Sequence, residues 1–119
     1  MSAPTAPVVT LPRLSSRPTA TTTTLAALPL LRAPVPRPGR NPHKNCSANL
    51  EAWLGQVTGQ VQALGCRHCV SGFGQWTLCV TVAGHFGGSC ANCHYGDKGR
   101  RCSFRKWLLM ILRGFTDHN

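Results

Sequence analysis

The chain has 119 residues and a formal charge of +10, from thirteen Lys and Arg residues against three acidic ones. This length allows at most one folded domain. A long-range positive field favours polyanionic partners such as nucleic acid or an acidic membrane surface. So few carboxylates, and no group placed to orient a Cys–His pair, argue against catalysis. We therefore expect neither enzyme activity nor a small-molecule substrate.

The first part of the chain has the composition of a disordered tail. All nine prolines lie between Pro4 and Pro42, and no acidic residue occurs before Glu51. Pro, Thr, Ser and Ala dominate this part, and such a mixture buries too little apolar surface to offset the entropy cost of ordering it. The composition predicts a Pro/Thr/Arg-rich tail at 1–45 and a cysteine-rich domain with flanking helices at 46–119.

The first predicted element of that domain is an amphipathic helix from Ser47 to Leu64. Ser47 is a suitable N-cap and Gly65 a suitable terminator. The helix is indicated by apolar residues that recur at steps of three and four with polar residues between them: Leu50, Trp53, Leu54, Val57, Val61 and Leu64.

A short strand and a second helix follow in the sequence. From Trp76 to Val82 apolar and polar residues alternate, and glycines on both sides favour tight turns or a hairpin. From Phe104 to Arg113 the apolar residues again follow a helical period, with Ser103 as the predicted cap and Gly114 as the predicted end.

The cellular location is predicted from two absences. The N-terminus shows no basic start followed by an apolar stretch, which a secretory signal requires. The longest apolar run of the domain, Trp107–Leu112, is far shorter than the roughly 20 residues that cross a bilayer, so we expect no membrane span. An intracellular, reducing compartment is expected, where thiols bind metal rather than form disulfides.

Six of the seven cysteines form the most specific pattern in the chain. A doubled C-x2-C is typical of metal sites, because two intervening residues let both sulfurs reach one ion at about 2.3 Å. Zinc is the expected metal, since it accepts tetrahedral thiolate ligation without redox chemistry. The pattern C-x2-C-x9-C-x10-C-x2-C-x8-C comprises Cys66, Cys69, Cys79, Cys90, Cys93 and Cys102.

Two arrangements of zinc are compatible with this spacing. One is a single site formed by the two C-x2-C pairs, which leaves Cys79 and Cys102 unused. The other uses all six thiolates for two zinc ions, and two cysteines must then bridge both metals. Cys46, outside the pattern, is interpreted as a free thiol, and His68 and His94 as solvent-facing neighbours of the site rather than ligands.

The segment CANCHYGDKGRRCSF resembles the second half of the fungal binuclear zinc cluster. Together with GFGQWTLCV, residues 66–106 are also similar to a fungal cysteine-rich domain family of unknown function. The first resemblance implies a nuclear protein whose metal core supports contact with DNA. In the DNA-binding clusters a Lys- and Arg-rich stretch between the second and third cysteines enters the major groove. Here that stretch, from Val70 to Leu78, has no Lys or Arg, which predicts little sequence preference.

Two functional hypotheses follow. The leading one is a nuclear zinc module that contacts nucleic acid or chromatin through a basic patch. The alternative is a protein-interaction or scaffold module that binds a partner, or a second copy, through the helices of Trp53 and Trp107. The predicted basic patch comprises Arg67, Lys98, Arg100, Arg101, Arg105 and Lys106.

Overall fold

The computed structural model describes residues 18–113. Five α-helices and a two-stranded antiparallel hairpin occur in this part of the chain, and three single 3-10 turns connect the later elements. The helices are α1 (Ala20–Ala26), α2 (Ser47–Thr58), α3 (Arg67–Val70), α4 (Ala91–His94) and α5 (Ser103–Leu112), and the strands are β1 (Gln60–Val61) and β2 (Val80–Thr81). The sequence predicts a small irregular α+β domain with two short helices and a short strand or hairpin around structural zinc. The α+β class and the clustering of the cysteines are confirmed, whereas residues 18–113 contain five helices rather than two.

Helix α2 is the central element and is shorter than the sequence predicts. It starts after Cys46 rather than Ser47 as the N-cap, and it ends at Thr58, with Gly59 in an extended conformation. The chain then pairs as β1 with β2, in the register Gln60↔Thr81 and Val61↔Val80. A Cβ at position 59 would collide with the carbonyl oxygen of Thr81, so this close approach of helix and hairpin requires glycine.

The predicted strand Trp76–Val82 is interrupted by a bend at Thr77 and Leu78, and the parts on either side of the bend have different partners. Only Val80 and Thr81 belong to the hairpin, whereas Trp76 forms an isolated bridge with Pro36. Trp76 and Val80 are fully buried, as the alternation predicts. Leu78 was expected on the same face and is exposed, because the chain changes partner at this point.

Residues 18–45, which we name the strap, pack against the domain although their composition predicts disorder. Leu25 of α1 is completely buried and packs with Leu50, Leu54 and Val82. After α1 the strap runs extended and bonds to the domain, with Leu31 N donating to Val57 O at 2.8 Å and Thr77 N donating to Val35 O at 2.9 Å.

Contacts with the domain thus begin at Thr19, whose Oγ1 donates to Glu51 Oε2 at 2.6 Å, rather than at the predicted boundary of residue 46. Prolines do not prevent this packing, because an extended edge segment needs few backbone donors. The side chain of Leu25 is completely buried against the domain. The average composition of the segment did not predict this single apolar contact. The rest of the predicted tail, residues 1–17, lies outside the described residues.

The last helix, α5, agrees with the predicted helix within one residue at each end but contributes no fully buried side chain. Trp107 is 63% exposed and Leu112 is 71% exposed. Among residues 18–113, no helix is both long enough and apolar enough to cross a lipid bilayer.

Candidate metal centre

The six cysteines of the sequence pattern converge in one buried cluster, each with at most 8% of its surface exposed. No disulfide joins any of them. Cys46 is also a free thiol, but it is exposed at the start of α2 and takes no part in the cluster.

The cluster contains two groups of four thiols, and the four sulfurs of each group lie within 4.8 Å of one another. Cys66 and Cys90 belong to both groups. The first group adds Cys69 and Cys79, and the second adds Cys93 and Cys102. Each group could hold one metal ion.

The distances between sulfurs suit ligation. The Sγ atoms of Cys66 and Cys90 are 3.7 Å apart, and Cys66–Cys93 and Cys69–Cys90 are each 3.8 Å apart. A disulfide would bring two sulfurs to about 2.05 Å. Four sulfurs placed tetrahedrally at about 2.3 Å from one ion are separated by about 3.8 Å, which is the spacing found here.

Two halves of the chain build the cluster in the same way. Cys66 is the N-cap of α3 and Cys90 the N-cap of α4, so each C-x2-C pair lies on the first turn of a four-residue helix. The amide of Cys66 donates to Cys79 Sγ at 3.4 Å, and the amide of Cys90 donates to Cys102 Sγ at the same distance. The sequence spacing of the two halves differs by only one residue. Each half therefore supplies one shared and two unshared thiols.

Asn92 connects the halves and was missed by the sequence analysis. It is buried, and its Nδ2 donates to Cys69 Sγ at 3.4 Å, across the cluster from its own pair. The same side chain accepts from Trp76 N at 2.9 Å and donates to Trp76 O at 3.0 Å. Hydrogen bonds of this kind, to the sulfur of Cys69 and to the backbone of Trp76, hold a metal-binding thiol in a fixed orientation. The only signal in the sequence was a polar residue inside a C-x2-C pair.

Hydrogen bonds among the thiols distribute their charge unevenly. The pKa of Cys66 is lowered, chiefly by its hydrogen bond with the Cys102 side chain. The pKa of Cys90 is raised, first by its hydrogen bond with Cys102 and then by those with the other thiols. A divalent cation would favour the thiolate at every position, because it replaces the shared protons as the positive charge.

The histidines beside the cysteines were expected to face solvent, but both make contacts within the chain. His94 Nε2 lies 2.7 Å from Glu51 Oε1, and its ring stacks on Phe86 with centroids 4.1 Å apart. His68 packs edge-on against Phe73 at 6.0 Å. Neither belongs to the two thiol groups found in the described part of the chain. His94 instead attaches α4 to α2.

The predicted basic patch is divided between two clefts. Lys98 and Arg101 line a cleft of about 380 Å³ that also contains Arg40, a strap residue the sequence analysis did not include. Arg100 and Arg105 line a second cleft, of about 500 Å³, together with Asp97. Arg67 and Lys106 lie on α3 and α5 and are exposed. The six cations are therefore distributed over two clefts and two helices and do not form one continuous face.

The two tryptophan helices differ in exposure. Trp53 packs edge-on against the buried Trp76 with centroids 5.9 Å apart, and Lys44 Nζ lies 4.3 Å from its ring. Helix α2 is thus largely occupied by contacts within the chain. Trp107 lies instead on a groove of about 720 Å³ between α5 and the hairpin, which Leu108 and Leu112 also line.

Residues 52–105 match the sequence model of a family described as "Protein of unknown function (DUF3716)". The matched segment runs from within α2 to within α5 and includes all six clustered cysteines. No curated protein and no solved structure matches the chain. This match agrees with one part of the predicted resemblance, the similarity to a family of unknown function over the cysteine pattern.

Proposed function

We propose that this chain is a non-catalytic module that two structural zinc ions stabilise and that contacts nucleic acid through the cations of its basic patch. The observation that carries the metal part is the sharing of Cys66 and Cys90 by two groups of four buried thiols. Two tetrahedral ions need eight sulfur positions, and six thiolates supply them when two of them bridge.

The geometry favours two ions over one. A single site made from the two C-x2-C pairs would have no use for Cys79 and Cys102. Both of these thiols are buried in the cluster, and each accepts a backbone N–H from a shared cysteine. Hydrogen bonds of this kind are typical of thiolate ligands.

Zinc is favoured because the donors are all sulfur and their spacing is tetrahedral. Metal analysis of the purified full-length chain tests this. We expect about two zinc ions per chain from the geometry of the two groups. One ion per chain would establish the single site, and an absence of bound metal in the reduced protein would refute the metal-binding role.

The nucleic-acid part is supported by unbalanced charge. Within residues 18–113 the only ion pair is His94–Glu51, so the exposed cations lack carboxylate partners there. Two zinc ions and six thiolates leave roughly two negative charges, far fewer than the cations present. The excess positive charge is available for phosphates. A nuclear location is part of this proposal, and a fluorescent fusion protein tests it.

Salt dependence tests the contact with nucleic acid. Neutralising Arg100 and Arg101 together should weaken binding to unrelated duplexes equally and lower the salt slope by about 1 to 2, with zinc content unchanged. The matched control changes Lys44 and Arg113 to Gln, which removes the same charge elsewhere and should have a smaller effect. Absence of binding at low salt would refute this part.

The groove on α5 favours a second candidate, a protein-interaction module. Trp107 and Leu112 expose apolar surface beside a groove of about 720 Å³, and such surfaces often bind a partner. Under this hypothesis Trp107→Ser abolishes an association that is insensitive to salt. Nucleic-acid binding would remain unaffected by that change.

A further inference from the structure

The first of the two basic clefts, which we name the Arg40 cleft, has features of a ligand site. Its volume of about 380 Å³ lies within the roughly 300–1,000 Å³ range of small-molecule pockets. It is formed by three separate segments of the chain: the strap, the loop after α3, and the turns after α4. Its charged and aromatic lining residues are Arg40, His68, Phe73, Tyr95, Lys98 and Arg101.

The charged side chains that line the cleft are all positive. Arg40, Lys98 and Arg101 are exposed cations, and no carboxylate lines the cleft. The two acidic residues of the described chain lie elsewhere, with Glu51 bonded to His94 and Asp97 lining the second cleft. Three cations around one concavity without an acid attract a phosphate group.

An aromatic side chain is held at the rim of this cleft. Phe73 is 53% exposed, although its backbone is well fixed. Its amide donates to His68 O at 2.9 Å. Gly74, at φ +109°, lies so close to Asn92 that a Cβ there would be 2.6 Å from that side chain. Since Asn92 is bonded to Cys69, this contact links the loop that presents Phe73 to the thiol cluster.

We propose that the Arg40 cleft binds an unpaired nucleotide of single-stranded nucleic acid, with its phosphate among the three cations and its base on Phe73. This inference rests on the nucleic-acid contact proposed above and specifies the kind of strand. A duplex keeps its base faces stacked inside and offers only its backbone, whereas a single strand offers both phosphates and free base faces. The cations and the aromatic ring meet in one concave site. This combination suits a single strand, which offers both phosphates and free base faces.

The test measures fluorescence anisotropy of a labelled thymidine 15-mer and of a duplex of the same length, with the full zinc-loaded chain at low salt. Phe73→Ala should weaken binding of the single strand by about fivefold or more, the lower limit for loss of one stacked base, and leave the duplex unchanged. Trp107→Ala is the matched control, because it removes another exposed aromatic ring far along α5.

A second pair of variants tests the phosphate contact. Arg40→Gln should weaken single-strand binding more than Arg113→Gln, which removes one exposed arginine from the end of α5. Unchanged zinc content shows that each variant is folded. Thymidine monophosphate should compete at least about tenfold less well than the 15-mer, because a strand adds further phosphate contacts. Equal competition would make the cleft a mononucleotide site and overturn the proposal.

Two failures are distinguishable. Equal weakening of single strand and duplex by Phe73→Ala, or no weakening of either, would overturn the single-strand site and leave the basic patch intact. Failure of the folded, zinc-loaded parent chain to bind any nucleic acid would refute the proposed function itself.

Discussion

Cys66 and Cys90 differ from the other four clustered cysteines because each belongs to both groups of thiols. A bridging thiolate serves two ions, whereas a terminal one serves a single ion. The side chains are chemically identical, so the difference arises only from their positions. Substitution of single cysteines by serine therefore separates the two arrangements of zinc.

We expect Cys79→Ser to lower the zinc content from about two ions per chain to about one, and Cys66→Ser to lower it further. Metal analysis of the purified variants measures this, and Cys46→Ser, outside the cluster, is the control that should retain all the metal. If Cys79→Ser and Cys102→Ser both keep the full content of the parent, the two-ion arrangement is wrong.

Asn92 carries a second prediction at the level of single residues. Asn92→Ala removes the acceptor for the partly buried amide of Gln75 and for the buried amide of Trp76, and leaves both without that partner. The free energy of unfolding of the zinc-loaded chain should fall by about 2–4 kcal/mol, measured in urea. Asn45→Ala, at an exposed position before α2, should change it by less than about 0.5 kcal/mol. Equal stability of the two variants would contradict the role given to Asn92.

Among the elements, the strap departs most from the sequence prediction. Leu25 is completely buried, whereas Leu31 of the same strap is 59% exposed. If the strap belongs to the domain, Leu25→Ala should lower the free energy of unfolding by about 2–5 kcal/mol, and Leu31→Ala by less than about 0.5 kcal/mol. Chemical denaturation of both variants measures the difference. If both variants lose less than about 0.5 kcal/mol of unfolding free energy, the strap does not belong to the folded domain.

Helices α3 and α4 were not predicted, although their cysteines were. Each has four residues, which is too short for a hydrophobic period to be visible. Short helices are not stable alone, and here the buried cysteines at their N-caps attach them to the cluster. A metal ion bound to both thiols of a C-x2-C pair would hold such a turn closed.

For the whole molecule, the metal is expected to supply the folding free energy that the small apolar core lacks. Within residues 18–113 the core has two small apolar clusters beside the cysteine cluster. Excess chelator should therefore abolish the helical circular dichroism and expose Trp76 to solvent, as tryptophan fluorescence reports. Acidification to about pH 4 should do the same, because protons compete with zinc for the thiolates. An unchanged spectrum in chelator would refute this dependence.

The sequence by itself determined the elements whose signal is local. The C-x2-C spacing identified all four paired cysteines, because both sulfurs of a pair can reach one ion within a single turn. The apolar period identified α2 and α5. It did not show that α2 ends at Thr58, since that end depends on the approach of Gly59 to Thr81.

Only the tertiary structure decided which thiols are shared, where the strap lies and which cations meet. Cys66 approaches Cys90 because two halves of the chain pack across Asn92, a contact between residues far apart in sequence. Arg40 and Lys98 line the same cleft although they are far apart in sequence, because the strap packs against the domain. Contacts of this kind leave no period and no spacing rule in a sequence, because they depend on how separately formed elements pack against one another.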